Sequence, residues 1–112
     1  MKYIVAVIRP DKLEETINAL AEADVTRLTV GDCRGVGGME KTSEVYRGVR
    51  YTIHYRLKSR LEIAVNEAFV QPTIDTISRI CSTGDPTDGV IFVLELHDFI
   101  NIGSGKTGGE AI

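Results

Sequence analysis

The stretch "YTIHYRLKSRLEIAV", residues 51–65, decides the fold class. Leu57, Leu61, Ile63 and Val65 fall on one face of a chain read with a period of two, and Arg56, Lys58, Arg60 and Glu62 fall on the other. That alternation predicts a strand with one face on a core and one face polar. Such strands belong to antiparallel sheets, so the flanking segments must supply both its partners and its cover.

Upstream, "YIVAVIRP", residues 3–10, is a short β-branched apolar run stopped by proline and predicts a buried strand. A helix follows. Asp11 suits its start, Glu14 and Glu15 its positive end, and Leu13, Ile17 and Leu20 recur along one side. "VTRLTVGDCR", residues 25–34, alternates Leu28, Val30 and Asp32 against Thr29 and Gly31 and predicts a second strand. Residues 35–48 hold four glycines and no stable period, which predicts a long mobile loop. Downstream, Pro72 is expected to open a second helix striped with Ile74, Ile77 and Cys81. "VIFVLEL", residues 90–96, is the last core strand, and the glycine-rich tail 103–112 is expected to be flexible or ordered by a ligand.

The resulting order is βαββαβ with a long loop between strands 2 and 3, in one domain spanning 1–112. This is the α+β, ferredoxin-like arrangement, with both helices on one face of an antiparallel sheet. A chain of 112 residues has no second layer for the other face, so oligomerisation through that face is expected.

The net charge of −3 is unevenly spread. Residues 34–60 carry seven bases against two acids, while the rest of the chain carries six bases against fourteen acids. A local basic field steers association with an anion or an acidic protein surface, although the same count suits a solvated loop. Cys33 and Cys81 stand alone, and there is no leader or long apolar run, so a reduced cytoplasmic protein without membrane insertion is expected. Chemistry-bearing motifs are sparse. "GSGKT", residues 103–107, fails as a phosphate loop because Ile100 stands where the first glycine is required and no helix can follow. His54, His97 and the two cysteines form no ligand pair at metal spacing. No nucleophile elbow or forced carboxylate pair points to an enzyme, and the aromatic pattern of a nucleic-acid-binding sheet is missing.

"EVYRGVRY" (44–51), "LTV" (28–30), "LEIAV" (61–65) and "TGDPTDGVIFVLEL" (83–96), in this order across the whole chain, together resemble the PII signal-transduction proteins of the nitrogen regulatory protein P-II superfamily. The resemblance implies a homotrimer, adenine nucleotides in clefts between subunits, and a partner-binding T-loop at residues 37–55. That loop would contact a membrane transporter or a regulated enzyme through Lys41, Glu44, Tyr46, Arg47, Arg50 and Tyr51, and Tyr51 matches a tyrosine modified in some members. Val7, Thr29, Gly35, Gly37, Glu62, Ala64, Asp88 and Gly89 match the nucleotide surroundings, and Lys58 matches a lysine that helps hold 2-oxoglutarate.

The departures from the family pattern point one way. Where members carry Arg-Gln, a lysine and two arginines, this chain has Gly38-Met39, Val90, Asn101 and Gly103, and Thr87 replaces a glycine. Each charge-assisted phosphate bond contributes about 1.5–3 kcal/mol, so losing four weakens polyphosphate binding by several kcal/mol. The resemblance therefore implies a regulator that is not an enzyme, with ADP or AMP, another small anion, or no ligand in place of ATP with magnesium and 2-oxoglutarate. The alternative is a trimeric metal-binding or metal-tolerance protein using His54 or His97.

Overall fold

In the computed structural model, residues 1–37, 39–45 and 48–112 are described, with the side chains of 39–45 and 48–52 left aside. Strand β1 (Lys2–Ile8) leads through a short 3-10 turn (Pro10–Lys12) into α1 (Leu13–Glu22). Next come β2 (Thr29–Gly35), β3 (Met39–Val45), β4 (Gly48–Ile53) and β5 (Arg56–Val65). Helix α2 (Glu67–Cys81), β6 (Gly89–Glu95) and a terminal 3-10 turn (Gly108–Ala111) complete the chain. The main sheet is antiparallel, in the order β2-β5-β1-β6, as the ferredoxin-like arrangement requires.

Register explains the core. Ile4 pairs with Ile63, Ala6 with Leu61 and Ile8 with Ser59, so the alternate residues of β1 and β5 meet on one face. Leu20 from α1 and Ile77 and Cys81 from α2 close over them. Three threonines join this interior: Thr16 and Thr73 have no exposed surface, and Thr76 is buried. Thr16 and Thr73 donate to the carbonyls of Lys12 and Phe69, each at 2.7 Å, which satisfies their hydroxyls inside the core. Apolar periodicity cannot show such residues, and Thr16 takes a core place that the stripe Leu13, Ile17 and Leu20 did not include.

Four expectations are corrected. Residues 51–65 are not one strand: β4 ends at Ile53 and β5 begins at Arg56. Leu57 consequently lies beside the arm and is 72% exposed, although its parity matches Leu61. The segment expected to be a long loop, residues 35–48, holds β3, which pairs antiparallel with β4 with a register shift between Lys41 and Ser43. Helix α2 starts at Glu67, and Pro72 sits inside it. Proline there deprives only the Ala68 carbonyl of its donor, and both positions are exposed, so water can take that role.

The fourth correction concerns the tail, which is held by hydrogen bonds within the chain. Ile100 bridges Thr107, Gly108 donates to the Phe99 carbonyl, and Asn66 Nδ2 donates to the Gly109 carbonyl at 3.0 Å. Ala111 is buried behind this contact. On the far side of the sheet, Val90, Phe92 and Leu94 of β6 are each about half exposed beside Val7, Val5 and Tyr3 of β1, an apolar strip flanked by the Arg60–Glu62 ion pair at 3.0 Å.

Leu61→Ala is expected to lower stability by about 2–5 kcal/mol, and Leu57→Ala by less than about 1 kcal/mol. Urea unfolding of the two variants checks this; equal losses would place Leu57 in the core.

Candidate functional site

Three segments converge at one end of the sheet: the β2 exit at Gly35–Gly37, the β5 entrance at His54–Lys58, and the turn before β6. They enclose a cleft of about 500 Å³ whose walls include Val7, Gly35, Gly37, His54, Arg56, Lys58, Thr87, Gly89 and Val90. Gly89 sets the close approach of the turn to β1. Its φ is +133°, and a Cβ there would lie 2.2 Å from the Val7 carbonyl oxygen, so only glycine fits.

The turn itself is held by its own carboxylates. Asp88 accepts the Thr83 N–H and hydroxyl at 2.6 Å each, and the Asp85 N–H at 3.2 Å. Asp85 accepts the Thr87 N–H and hydroxyl, both at 2.7 Å. The Thr83 hydroxyl and amide hold the Asp88 carboxyl below its usual range, and the Thr87 amide and hydroxyl do the same for Asp85. Both aspartates are therefore ionised at neutral pH and occupied within the turn. Lys58 Nζ reaches across the cleft to the Thr87 carbonyl oxygen at 2.5 Å. Arg34 stacks over the Tyr55 ring at 5.1 Å, pinning the base of the arm to β2.

Of the residues singled out from sequence, the structure brings Val7, Gly35, Gly37 and Gly89 together in this cleft. Thr29 and Glu62 pair with each other farther along the same sheet face, and Ala64 borders a separate hollow of about 290 Å³ beside Phe69 and Ile112. Asp88 turns into its loop and borders a third hollow, of about 410 Å³, together with Cys81. Tyr46 and Arg47 lie outside the described residues, as do the side chains of Lys41, Glu44, Arg50 and Tyr51. His54 stands in the cleft wall, while His97 is exposed just beyond β6. Among the described residues no group of three or more His, Cys, Asp or Glu is placed to hold a metal ion. Arg56 and Pro86 line the cleft without having been singled out. Arg56 had read only as part of a polar strand face, and its place at the strand entrance is visible only once the arm has a base.

A family profile described as nitrogen regulatory protein P-II matches residues 1–106. The chain belongs to the P-II family. Nitrogen regulatory protein GlnK1 of Methanosarcina mazei is 40% identical over all of this chain and 97% of its own length. Nitrogen regulatory protein P-II 1 of Escherichia coli (strain K12) is 38% identical over the full length of both chains. Among solved structures, B. subtilis GlnK superposes with a TM-score of 0.85 at 35% identity, covering 99% of this chain and 97% of that one. B. subtilis GlnK in complex with ATP superposes with the same TM-score. By family, therefore, the chain is a P-II nitrogen regulatory signalling protein, and among the described residues no helix is long and apolar enough to cross a membrane.

Gly89→Ala is expected to cost about 2–4 kcal/mol, because the added methyl meets backbone; a melting temperature unchanged from wild type would refute the fit. The two aspartates give a pH dependence of known sign. Their folded values lie below the ordinary 3.8, so their contribution is complete above that pH and is lost as pH falls through the lowered values. Melting temperature should fall on going below about pH 4, and the fall should be shallower in Asp88→Asn.

Proposed function

We propose that the chain is a cytoplasmic P-II regulator, not an enzyme, that assembles as a homotrimer and acts on a transporter or enzyme through its basic arm. Its cleft takes an adenine nucleotide of low charge, ADP or AMP, in preference to ATP with magnesium and 2-oxoglutarate. The observation that carries this reading is the cleft wall: Val90 contributes an isopropyl group there, and the Lys58 ammonium is already engaged by the Thr87 carbonyl. The cationic groups described along the wall are Arg56 and Lys58. A triphosphate concentrates more charge than these groups neutralise, whereas the apolar surface of Val7 and Val90 suits a flat base or a ribose.

Trimer formation is supported by the open sheet face, where Val90, Phe92 and Leu94 of β6 are each about half exposed. Thr29, Glu62 and Ala64 lie on that same face and would complete the cleft of a neighbouring subunit. Lys41, Glu44, Tyr46, Arg47, Arg50 and Tyr51 are assigned to partner contact, with Tyr51 as a modification site. Their surplus of positive charge suits an acidic partner surface.

Calorimetric titration with AMP, ADP, and ATP with magnesium, each with and without 2-oxoglutarate, tests the ligand assignment. ADP or AMP should bind more tightly than ATP with magnesium, 2-oxoglutarate should add nothing, and Val90→Lys should tighten ATP binding about 10- to 150-fold. Micromolar binding of ATP with magnesium and 2-oxoglutarate by the wild type would overturn it. Light scattering of the purified protein should give the mass of three chains; a monomer would overturn the assembly.

A further inference from the structure

Resting on the assignment of the cleft as the ligand site, we propose that the Lys58–Thr87 bridge is a latch that limits anion binding, and that Asp85 is the positioning residue that keeps it closed. The bridge lies at a boundary. Arg56, Lys58 and Thr87 border both the cleft of about 500 Å³ and a further hollow of about 560 Å³ on the side of Arg9 and Asp11. One ammonium-to-carbonyl contact of 2.5 Å thus stands between two spaces that share the same cations.

Thr87 presents its carbonyl to Lys58 because the turn leaves it no other direction. Its N–H and hydroxyl both donate to Asp85 Oδ1. In the next peptide, the Asp88 N–H donates to the Asp85 carbonyl at 3.0 Å. A trans peptide points its N–H and C=O in opposite directions, so this main-chain anchor, which any residue at 85 would supply, aims the Thr87 oxygen into the cleft, and the Asp85 carboxylate holds Thr87 in that orientation through its N–H and hydroxyl. Lys58 is guided from its own side. Its stem runs along Gly35, where a Cβ would make an ordinary contact with Lys58 Cγ at 3.4 Å.

The consequence is a selectivity filter. A carbonyl carries a partial charge and is displaced only by a ligand that gives the ammonium a stronger partner, such as a phosphate or carboxylate. Every anion entering the cleft must break the contact first, which weakens binding by a fixed factor, and once it is broken the two hollows become continuous through the freed cations. Asp85 adds no direct ligand contact in this scheme. It acts by holding Thr87.

Inorganic pyrophosphate and ADP are the probes, titrated calorimetrically into the full-length protein. Asp85→Ala should tighten pyrophosphate binding about tenfold, the factor for loss of one competing hydrogen bond to a charged group. Asp85→Asn, which removes the charge but keeps an acceptor for Thr87, should gain clearly less; equal gains in both variants would reduce the effect to simple repulsion and overturn the latch. In a Lys58→Met background, Asp85→Ala should change nothing, since the coupling runs through the ammonium. A second measurement needs no ligand. Lysine acetylation followed by mass spectrometry should find Lys58 several-fold slower than Lys106, an exposed lysine of the tail hairpin, and Asp85→Ala should close that gap. Equal rates in the wild type would overturn the latch even if ADP binds. Failure of ADP and pyrophosphate to bind, with Lys58 still protected, would instead overturn the assignment of the cleft.

Discussion

Strand β1 is paired on both sides, with β5 and β6, and that double pairing organises the rest of the molecule. Its seven residues match β5 from Lys2–Val65 to Ile8–Ser59 and β6 from Lys2–Glu95 to Ile8–Gly89. The register places Ile4, Ala6 and Ile8 beneath the helices and leaves Tyr3, Val5 and Val7 on the opposite face. A slip of one residue would exchange these two sets and put the core outside. Because the pairing ends at Ile8 with Gly89, it also fixes where the turn from α2 must arrive. The cleft is the space left at that end, between a turn forced against the Val7 carbonyl and the arm leaving β2.

The two faces of the sheet divide the work of the molecule. Alternate residues of β1 and β5 fill one face with aliphatic side chains and satisfied threonines. The other face carries the half-exposed Val90, Phe92 and Leu94 of β6 next to the Arg60–Glu62 pair, a surface of the kind that marks an interaction site. At the N-terminal end a small ionic cluster fastens the elements together: the Met1 ammonium and Lys2 both reach Glu67, and Lys2 also bonds Glu95. The cleft lies apart from this framework, at the Ile8–Gly89 end of β1.

The fold was legible in the sequence wherever burial followed a simple period. Ile4 to Ile8 and Leu61 to Val65 announced themselves, as did Leu20 and Ile77. Leu57 shared the parity of Leu61 and was still misplaced, because parity cannot tell that the strand has passed the edge of the helix layer. Pro72 reads as a helix start, since proline punctuates helices more often than it is carried within them, but it sits inside α2. The order of the tail depends on Asn66 meeting Gly109 across 43 residues, which no local pattern encodes. Of the candidate site, the glycines and Val7 were legible through the family resemblance. Arg56 was not, and neither was the use of both aspartates as internal braces, because that role depends on where Thr83 and Thr87 point.

The turn at residues 83–88 is held largely by hydrogen bonds among its own residues and borrows little from the interior. Change at its other positions therefore carries little penalty for folding, provided Gly89 and the two bracing aspartates remain. Sequence can drift there while the scaffold stays fixed, so two chains of this architecture can share nearly all of their core and still differ in the wall of the cleft.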